Sequence, residues 1–102
     1  MNTGLSPYTA GLISAVFKKY SDIKRVHLFG SRAIGTYRDN SDIDLVIFDD
    51  IDEALLAKIT GDLDELSLPY LFDVKVYGQI DNQSLREHID RFSIPIAPED
   101  AL

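Results

Sequence analysis

The sequence contains no cysteine, no long apolar run and few basic residues, and each of these absences excludes a class of protein. Without cysteine, disulfides and thiolate metal sites are excluded. No apolar stretch reaches the roughly 18 residues that indicate a membrane span. The segment Met1-Asn2-Thr3-Gly4 also lacks the basic and apolar regions of a secretory leader. We therefore expect a cytoplasmic protein with no membrane partner.

Positive charge is scarce, with 10 Lys and Arg against 17 Asp and Glu, which gives a net charge of −7. Stable nucleic-acid binding needs clustered Lys and Arg, so we do not expect it here. The excess of acidic residues is better suited to the binding of divalent cations or of a basic protein partner. The chain has 102 residues, of which 45% are hydrophobic. That is enough for one modest core, and we expect a single domain over residues 1–102.

Hydrophobic periodicity and turn residues predict alternating helices and strands. Ser6-Pro7 is typical of a helix start, because a capping side chain precedes a proline at the first helical position. Asp52 is expected to cap a second helix in the same way. The predicted elements are helices at 7–20, after Asp52 and at 82–91, a helical turn at 31–35, strands at 25–29, 43–48 and 72–77, a short edge segment at 94–96, and a frayed tail at 98–102. Their order predicts a small α/β or α+β domain with at least three strands.

Two carboxylates, Asp42 and Asp44, begin the second strand. Side chains alternate along a strand, so both acids point to one face with Cα atoms about 6.5–7 Å apart. Adjacent like charges repel each other unless a cation neutralises them. Ligands that are all carboxylates favour hard ions such as Mg²⁺. The alternative for this feature taken alone is a solvated acidic strand start.

A third acid, Asp73, lies on the next strand with Lys75 and Tyr77 on the same predicted face. If that strand lies beside the second, Asp73 joins Asp42 and Asp44. Three acids around two metal ions roughly 3.5–4 Å apart would suit nucleotidyl transfer, with Asp73 as the general base. The alternative for Asp73 alone is an exposed polar residue on a half-buried strand.

Gly30 and Ser31 follow the first strand and could bind phosphate. Glycine allows close backbone approach or a positive φ. A helix that begins at Ser31 would direct N–H groups toward phosphates, and the Ser31 hydroxyl and Arg32 guanidinium would add donors. Taken alone, Gly-Ser is also a common turn. The two histidines, His27 and His88, have no partner at metal-ligand spacing, so a surface role or a satisfied polar role is expected for each.

Three blocks together resemble the DNA polymerase β-like nucleotidyltransferase superfamily, in its minimal MNT-type branch. The blocks are Phe29-Gly30-Ser31-Arg32-Ala33-Ile34-Gly35, then Ser41-Asp42-Ile43-Asp44-Leu45 after the required spacing, and Phe72-Asp73-Val74. The resemblance spans about residues 8–92. Ile34 departs from the pattern, because the branch often has a second Arg there.

The resemblance implies a mixed β-sheet flanked by helices, with two Mg²⁺ ions and ATP as substrate. By motif, Asp42, Asp44 and Asp73 would be metal ligands and catalytic residues. Gly30 and Ser31 would hold the triphosphate, and Arg32 would contact phosphate. Minimal members are similar to one half of a module whose other half is an all-helical HEPN-type toxin. The resemblance thus implies the antitoxin of a type VII-like pair, which transfers AMP to a tyrosine of its partner.

Two other functions stay open. The protein could be a non-catalytic antitoxin that masks its partner by binding. It could also be a nucleotidyltransferase for a small molecule or for RNA ends, although the former usually needs an added acceptor domain and the latter fits poorly with the net charge of −7.

Overall fold

The computed structural model describes residues 3–97, and within that range a four-stranded sheet is combined with four α-helices. The elements in chain order are α1 (Pro7–Lys18), β1 (Val26–Phe29), α2 (Ser31–Ile34), β2 (Ile43–Ile47), α3 (Glu53–Asp64), β3 (Phe72–Val76), a 3₁₀ turn (Tyr77–Gln79), α4 (Gln83–Phe92) and β4 (Ile94–Ala97). The predicted order is confirmed, and the predicted edge segment is the fourth strand. The tail predicted at 98–102 lies outside the described residues.

A polar side chain caps the start of each of the three longer helices, close to where the sequence predicts these helices to begin. Ser6 Oγ accepts a hydrogen bond from the amide of Thr9 at 3.1 Å, and Asp52 Oδ1 accepts one from Leu55 at 2.8 Å. Asn82 Oδ1 caps α4 in the same way, at 3.0 Å from the amide of Leu85. Each cap satisfies an amide that has no partner within its helix.

The sheet is mixed, with strand order β3-β2-β1-β4. β1 runs antiparallel to both β2 and β4, whereas β2 and β3 are parallel. A parallel pair needs a long crossover connection, and α3 supplies it. Pro95 lies on β4, which is an edge strand, where its missing N–H costs no central ladder bond. The predicted fold class is therefore confirmed.

Helices cover the two faces of the sheet unequally. One face packs against α1 and α3 in the main core, whose fully buried members include Ile13, Phe17, Leu45, Ile59 and Leu63. The opposite face carries a smaller apolar cluster under α4, made of Phe29, Val46, Ile80 and Ile89. Beyond this cluster, at the N-terminal end of β2, that face becomes polar. In residues 3–97, no helix is long and apolar enough to span a membrane.

Candidate active site

The parallel pairing of β2 and β3 brings two of the candidate acids onto one face of the sheet. Asp44 is the direct register partner of Asp73, and Asp42 immediately precedes β2, two residues before Asp44 in the chain. Because side chains alternate along each strand, the carboxylates of Asp44 and Asp73 project from the face that α4 partly covers. Asp42 lies close enough to raise the pKa of Asp44. Asp42 and Asp73 are exposed, whereas Asp44 is half-buried. The sheet register thus confirms the predicted proximity of Asp44 to Asp73.

Asp44 is the electrostatic centre of the group. Partial burial, followed by repulsion from Asp73 and then from Asp42, raises the pKa of Asp44 to about 6 from its ordinary 3.8. Lys75 and Arg32 act in the opposite direction and limit this rise in pKa. A carboxylate that is half-buried beside two others is stabilised in its charged form by a cation. The donor set therefore suits a hard divalent ion such as Mg²⁺.

The three carboxylates do not yet converge on a common point. Among residues 3–97, no three His, Cys, Asp or Glu side chains are arranged so that they could hold a metal ion. Asp73 instead forms an ion pair with Lys75, with Oδ1 and Nζ 3.6 Å apart. Three metal-ligating carboxylates would therefore require a side-chain movement, and the role of Asp42, Asp44 and Asp73 as metal ligands stays a prediction.

The Gly30-Ser31 turn lies directly against Asp44. Phe29, the last residue of β1, is the register partner of Asp44, so the chain turns away from the sheet beside that carboxylate. Gly30 has φ 75° and ψ −156°, a conformation open essentially only to glycine. A Cβ at position 30 would collide with Oδ2 of Asp44 and would lie 3.1 Å from its Cγ. Glycine is required here for both reasons.

His88, on α4, contacts the same turn. Its Nε2 accepts a hydrogen bond from the amide of Gly30 at 2.9 Å. The expectation of a satisfied polar role for His88 is confirmed, but its link to the candidate phosphate turn was not predicted. The pairing joins positions 58 residues apart, so no local signal in the sequence could have identified it. His27, by contrast, bonds to Ser93 and Arg25 and is not among these contacts.

Arg32 is placed differently from the phosphate contact that the resemblance implies. Its side chain is almost fully buried, at 1% exposed. The guanidinium donates to the main-chain carbonyls of Ser41, Asp39 and Thr3, with distances of 2.9–3.4 Å. It also lies over the rings of Tyr37 and Tyr70. Because these carbonyls occupy Nε and both terminal nitrogens, we propose Arg32 as a positioning residue in place of a phosphate contact.

This buried arginine explains how the two sequence blocks are held together. Arg32 lies in α2, directly after the Gly30-Ser31 turn, and Ser41 directly precedes Asp42. The bonds from Nε and Nη2 of Arg32 to the Ser41 carbonyl therefore fix the intervening loop between α2 and β2. The ten-residue spacing between Ser31 and Asp42 is the length of chain that wraps around this guanidinium.

A cavity of about 360 Å³ lies beside β3, which is an edge strand of the sheet. Lys75, Gln79, Asp81 and Asn82 form its polar lining, and apolar side chains from α3, β3, α4 and the segment before α4 complete it. Lys75 therefore borders this cavity and also contacts Asp73. Lys75 belongs to none of the sequence motifs, although the alternation of β3 places it on the same face as Asp73.

Solved structures share this fold. A toxin–antitoxin with AMP-PNP superposes with a TM-score of 0.69 and 19% identity, over 85% of this chain and 71% of that one. A MntA-HpeT toxin–antitoxin mutant gives a TM-score of 0.69 and 17% identity over the same shares. The MntA-HepT toxin–antitoxin gives a TM-score of 0.66 and 15% identity, over 89% of this chain and 71% of that one.

Sequence comparison identifies the family. No curated protein matches the chain. The model of the polymerase beta nucleotidyltransferase family, however, matches residues 12–101, which include the Gly-Ser turn and all three acids. The mixed sheet and the placement of those residues agree with this match. The chain belongs to the polymerase β nucleotidyltransferase family.

Proposed function

We propose that this protein is a Mg²⁺-dependent nucleotidyltransferase that transfers AMP from ATP to a protein hydroxyl. The observation that carries the proposal is the register of Asp44 with Asp73, with Asp42 close to Asp44 and the Gly30-Ser31 turn against Asp44. Three carboxylates beside a turn of this kind provide metal ligands and a place for a triphosphate. Bound there, two Mg²⁺ ions would neutralise the carboxylates and the triphosphate and lower the pKa of the acceptor hydroxyl.

The chain's own residues would act in the following way. Asp42, Asp44 and Asp73 hold the metal ions, and the Gly30-Ser31 turn holds the triphosphate. Asp73, on the exposed edge strand, accepts the proton of the acceptor hydroxyl. The hydroxyl oxygen then forms a bond to the α-phosphorus while the bond from that phosphorus to the β-phosphate bridging oxygen breaks. The products are an AMP ester of the acceptor and pyrophosphate, and the proton resides on Asp73 before it passes to solvent.

The proposed acceptor is a tyrosine of an all-helical HEPN-type toxin, so that the transfer makes this chain the antitoxin of a type VII-like pair in the cytoplasm. Three structures with the same fold are toxin–antitoxin complexes, and one of them holds AMP-PNP. The net charge of −7 supports encounter with a basic partner and argues against RNA as the acceptor.

The experiment that tests this function compares acceptor classes directly. The purified protein is incubated with labelled ATP and Mg²⁺ in the presence of its co-expressed partner, a structured RNA or an aminoglycoside. The proposal expects label on the partner alone, and none after Asp42→Asn with Asp44→Asn. Label on RNA or on the drug without a partner would assign the protein to another class of nucleotidyltransferase. A tight complex with no label in any sample would indicate masking.

A further inference from the structure

We propose that His88 is a positioning residue for the nucleotide, because it fixes the Gly30-Ser31 turn to helix α4. This inference rests on the proposed function, in which that turn holds the triphosphate. The hydrogen bond from the Gly30 amide to His88 Nε2 is 2.9 Å long and joins that amide to a side chain of α4. His88 thereby connects the triphosphate turn to an element that carries none of the motif residues.

The turn needs such an anchor because glycine has the least conformational restraint of any residue. Gly30 occupies a conformation with φ 75° and ψ −156° and lies between Asp44 and His88. The Asp44 carboxylate limits the approach of the turn from the side of the sheet. His88 Nε2 on α4 holds the turn through its hydrogen bond with the Gly30 amide. Together these two contacts fix the distance between Ser31 and the metal-binding acids, on which catalysis depends steeply.

His88 can serve as an anchor because its own ring is held in place. The ring packs edge-to-face against Phe29, with centroids 6.4 Å apart, and lies against Phe92 with centroids 5.6 Å apart. Because the Gly30 amide is the donor, Nε2 carries no proton and Nδ1 carries it. The next residue of α4, Ile89, is fully buried in the apolar cluster and fixes the helix to the sheet.

The test separates the hydrogen bond from the packing of the ring. His88→Phe keeps an aromatic ring but removes the acceptor, and His88→Gln keeps an acceptor of smaller size. Glu87→Gln is the control, because Glu87 is exposed on the same helix and faces away from the turn toward Gln83. Two quantities are measured for each variant: the affinity for AMP-PNP with Mg²⁺ by calorimetry, and the hydrogen-exchange rate of the Gly30 amide by NMR.

We expect His88→Phe to weaken AMP-PNP binding about three- to tenfold, the loss typical of one hydrogen bond, and to accelerate exchange at Gly30. His88→Gln should retain more of the AMP-PNP affinity and more of the protection of the Gly30 amide from exchange. Glu87→Gln should match the wild type in both quantities. Exchange at the amides of α4 shows whether each variant keeps the helix. Wild-type affinity in His88→Phe would overturn the proposal. Equal losses in His88→Phe and His88→Gln with Gly30 exchange unchanged would also overturn it, since packing would then be responsible.

The failure of the proposed function gives a different result. If the wild-type protein itself binds no AMP-PNP although its Gly30 amide exchanges slowly, the hydrogen bond is present but the turn is not a triphosphate site. That outcome overturns the nucleotide function and the role of His88 with it. If the wild type binds AMP-PNP and His88→Phe binds equally well, only the role of His88 is overturned.

Discussion

Gly30 lies so close to Asp44 that the carboxylate occupies the space that any side chain at position 30 would need. Gly30 directly follows β1 and Asp44 lies on β2, and the two are brought together because Phe29 and Asp44 are partners in the antiparallel register of β1 and β2. The turn proposed to hold the triphosphate and the acid proposed to hold metal are therefore a single packed unit. A substitution at Gly30 must therefore alter the position of the Asp44 carboxylate, and the reverse also holds.

The first prediction concerns Gly30→Ala. The new methyl group would displace the Asp44 carboxylate, so we expect nucleotidyl transfer to fall about a hundredfold, as for a misplacement of about 1 Å at a reacting centre. The measurement is the initial rate of label transfer from ATP at saturating partner.

Gly35→Ala is the matched control for this change. Gly35 also has a positive φ, 82°, but a Cβ there meets nothing within 4 Å. The left-handed conformation should cost Gly35→Ala about 1 kcal/mol of stability, while its transfer rate stays within a few-fold of the wild type. Equal rates in the two alanine variants would show that the contact with Asp44 is unimportant.

The second prediction is that Asp44→Asn stabilises the metal-free protein. The folded pKa of Asp44 is about 6, above its ordinary 3.8. The folded state therefore binds more protons than the unfolded state between these values, and the stability of the wild type falls as pH rises through this window. The Asp44→Asn variant lacks this loss of stability with rising pH. A shift of this size corresponds to roughly 3 kcal/mol, and solvent screening of a half-buried group reduces it to about 1 kcal/mol at about pH 7.

Thermal unfolding in EDTA from about pH 4 to about pH 8 measures this effect. Ionisable groups that do not interact with Asp44 contribute equally to both proteins, so the difference between the two curves reports Asp44 together with its repulsion from Asp73 and Asp42. We expect the curves to separate as pH rises, with the asparagine variant the more stable. Parallel curves would show that Asp44 is not destabilised by its neighbours.

The third prediction distinguishes the two roles considered for Arg32. A lysine at position 32 cannot satisfy three carbonyls in the fixed geometry of a guanidinium. We therefore expect Arg32→Lys to lower the free energy of unfolding by about 3 kcal/mol, the cost of leaving buried acceptors without partners. Urea denaturation measures the loss.

Arg38→Lys is the control, because Arg38 is exposed in the same loop and the change should stay within about 0.5 kcal/mol. A stable Arg32→Lys protein that had lost affinity for AMP-PNP would instead restore the phosphate contact that the family resemblance implies.

The fourth prediction concerns Lys75, whose ammonium group neutralises part of the acid cluster through Asp73. Removing that charge should strengthen the binding of a metal ion alone, about two- to fivefold, because two charges 4 Å apart interact by about 1 kcal/mol in water. The measurement is the titration of Lys75→Met with Mn²⁺ in the absence of nucleotide.

Lys58→Met makes the same change in net charge on α3, where Lys58 is exposed, and should leave Mn²⁺ affinity almost unchanged. If both methionine variants bind Mn²⁺ equally tightly, the effect is one of net charge, and Lys75 has no particular role at the site.

The sequence predicted the elements of the fold because their signals are local. Ser6-Pro7 and Asp52 mark helix starts by capping chemistry, and both caps are present. The spacing of Asp42 and Asp44 placed them on one face of a strand. Their proximity to Asp73 depended on the pairing of β2 with β3, and the parallel register confirms it for Asp44.

Other features of the site could not be predicted, since they depend on contacts far apart in the chain. Arginine is usually exposed, and no pattern around Arg32 indicates that carbonyls of Thr3, Asp39 and Ser41 enclose it. The bond from Gly30 to His88 similarly requires α4 to return across the sheet. An isolated histidine on an amphipathic helix gives no sign of such a partner.

The most direct test of AMP transfer to the partner is the intact mass of the co-purified partner after incubation with ATP and Mg²⁺. Wild-type protein and the Asp42→Asn, Asp44→Asn double variant are compared side by side. If the acid cluster catalyses AMP transfer, the partner gains the mass of one AMP, or a multiple of it, only with the wild type. An unchanged partner mass with wild-type protein that is folded and bound to that partner would contradict it.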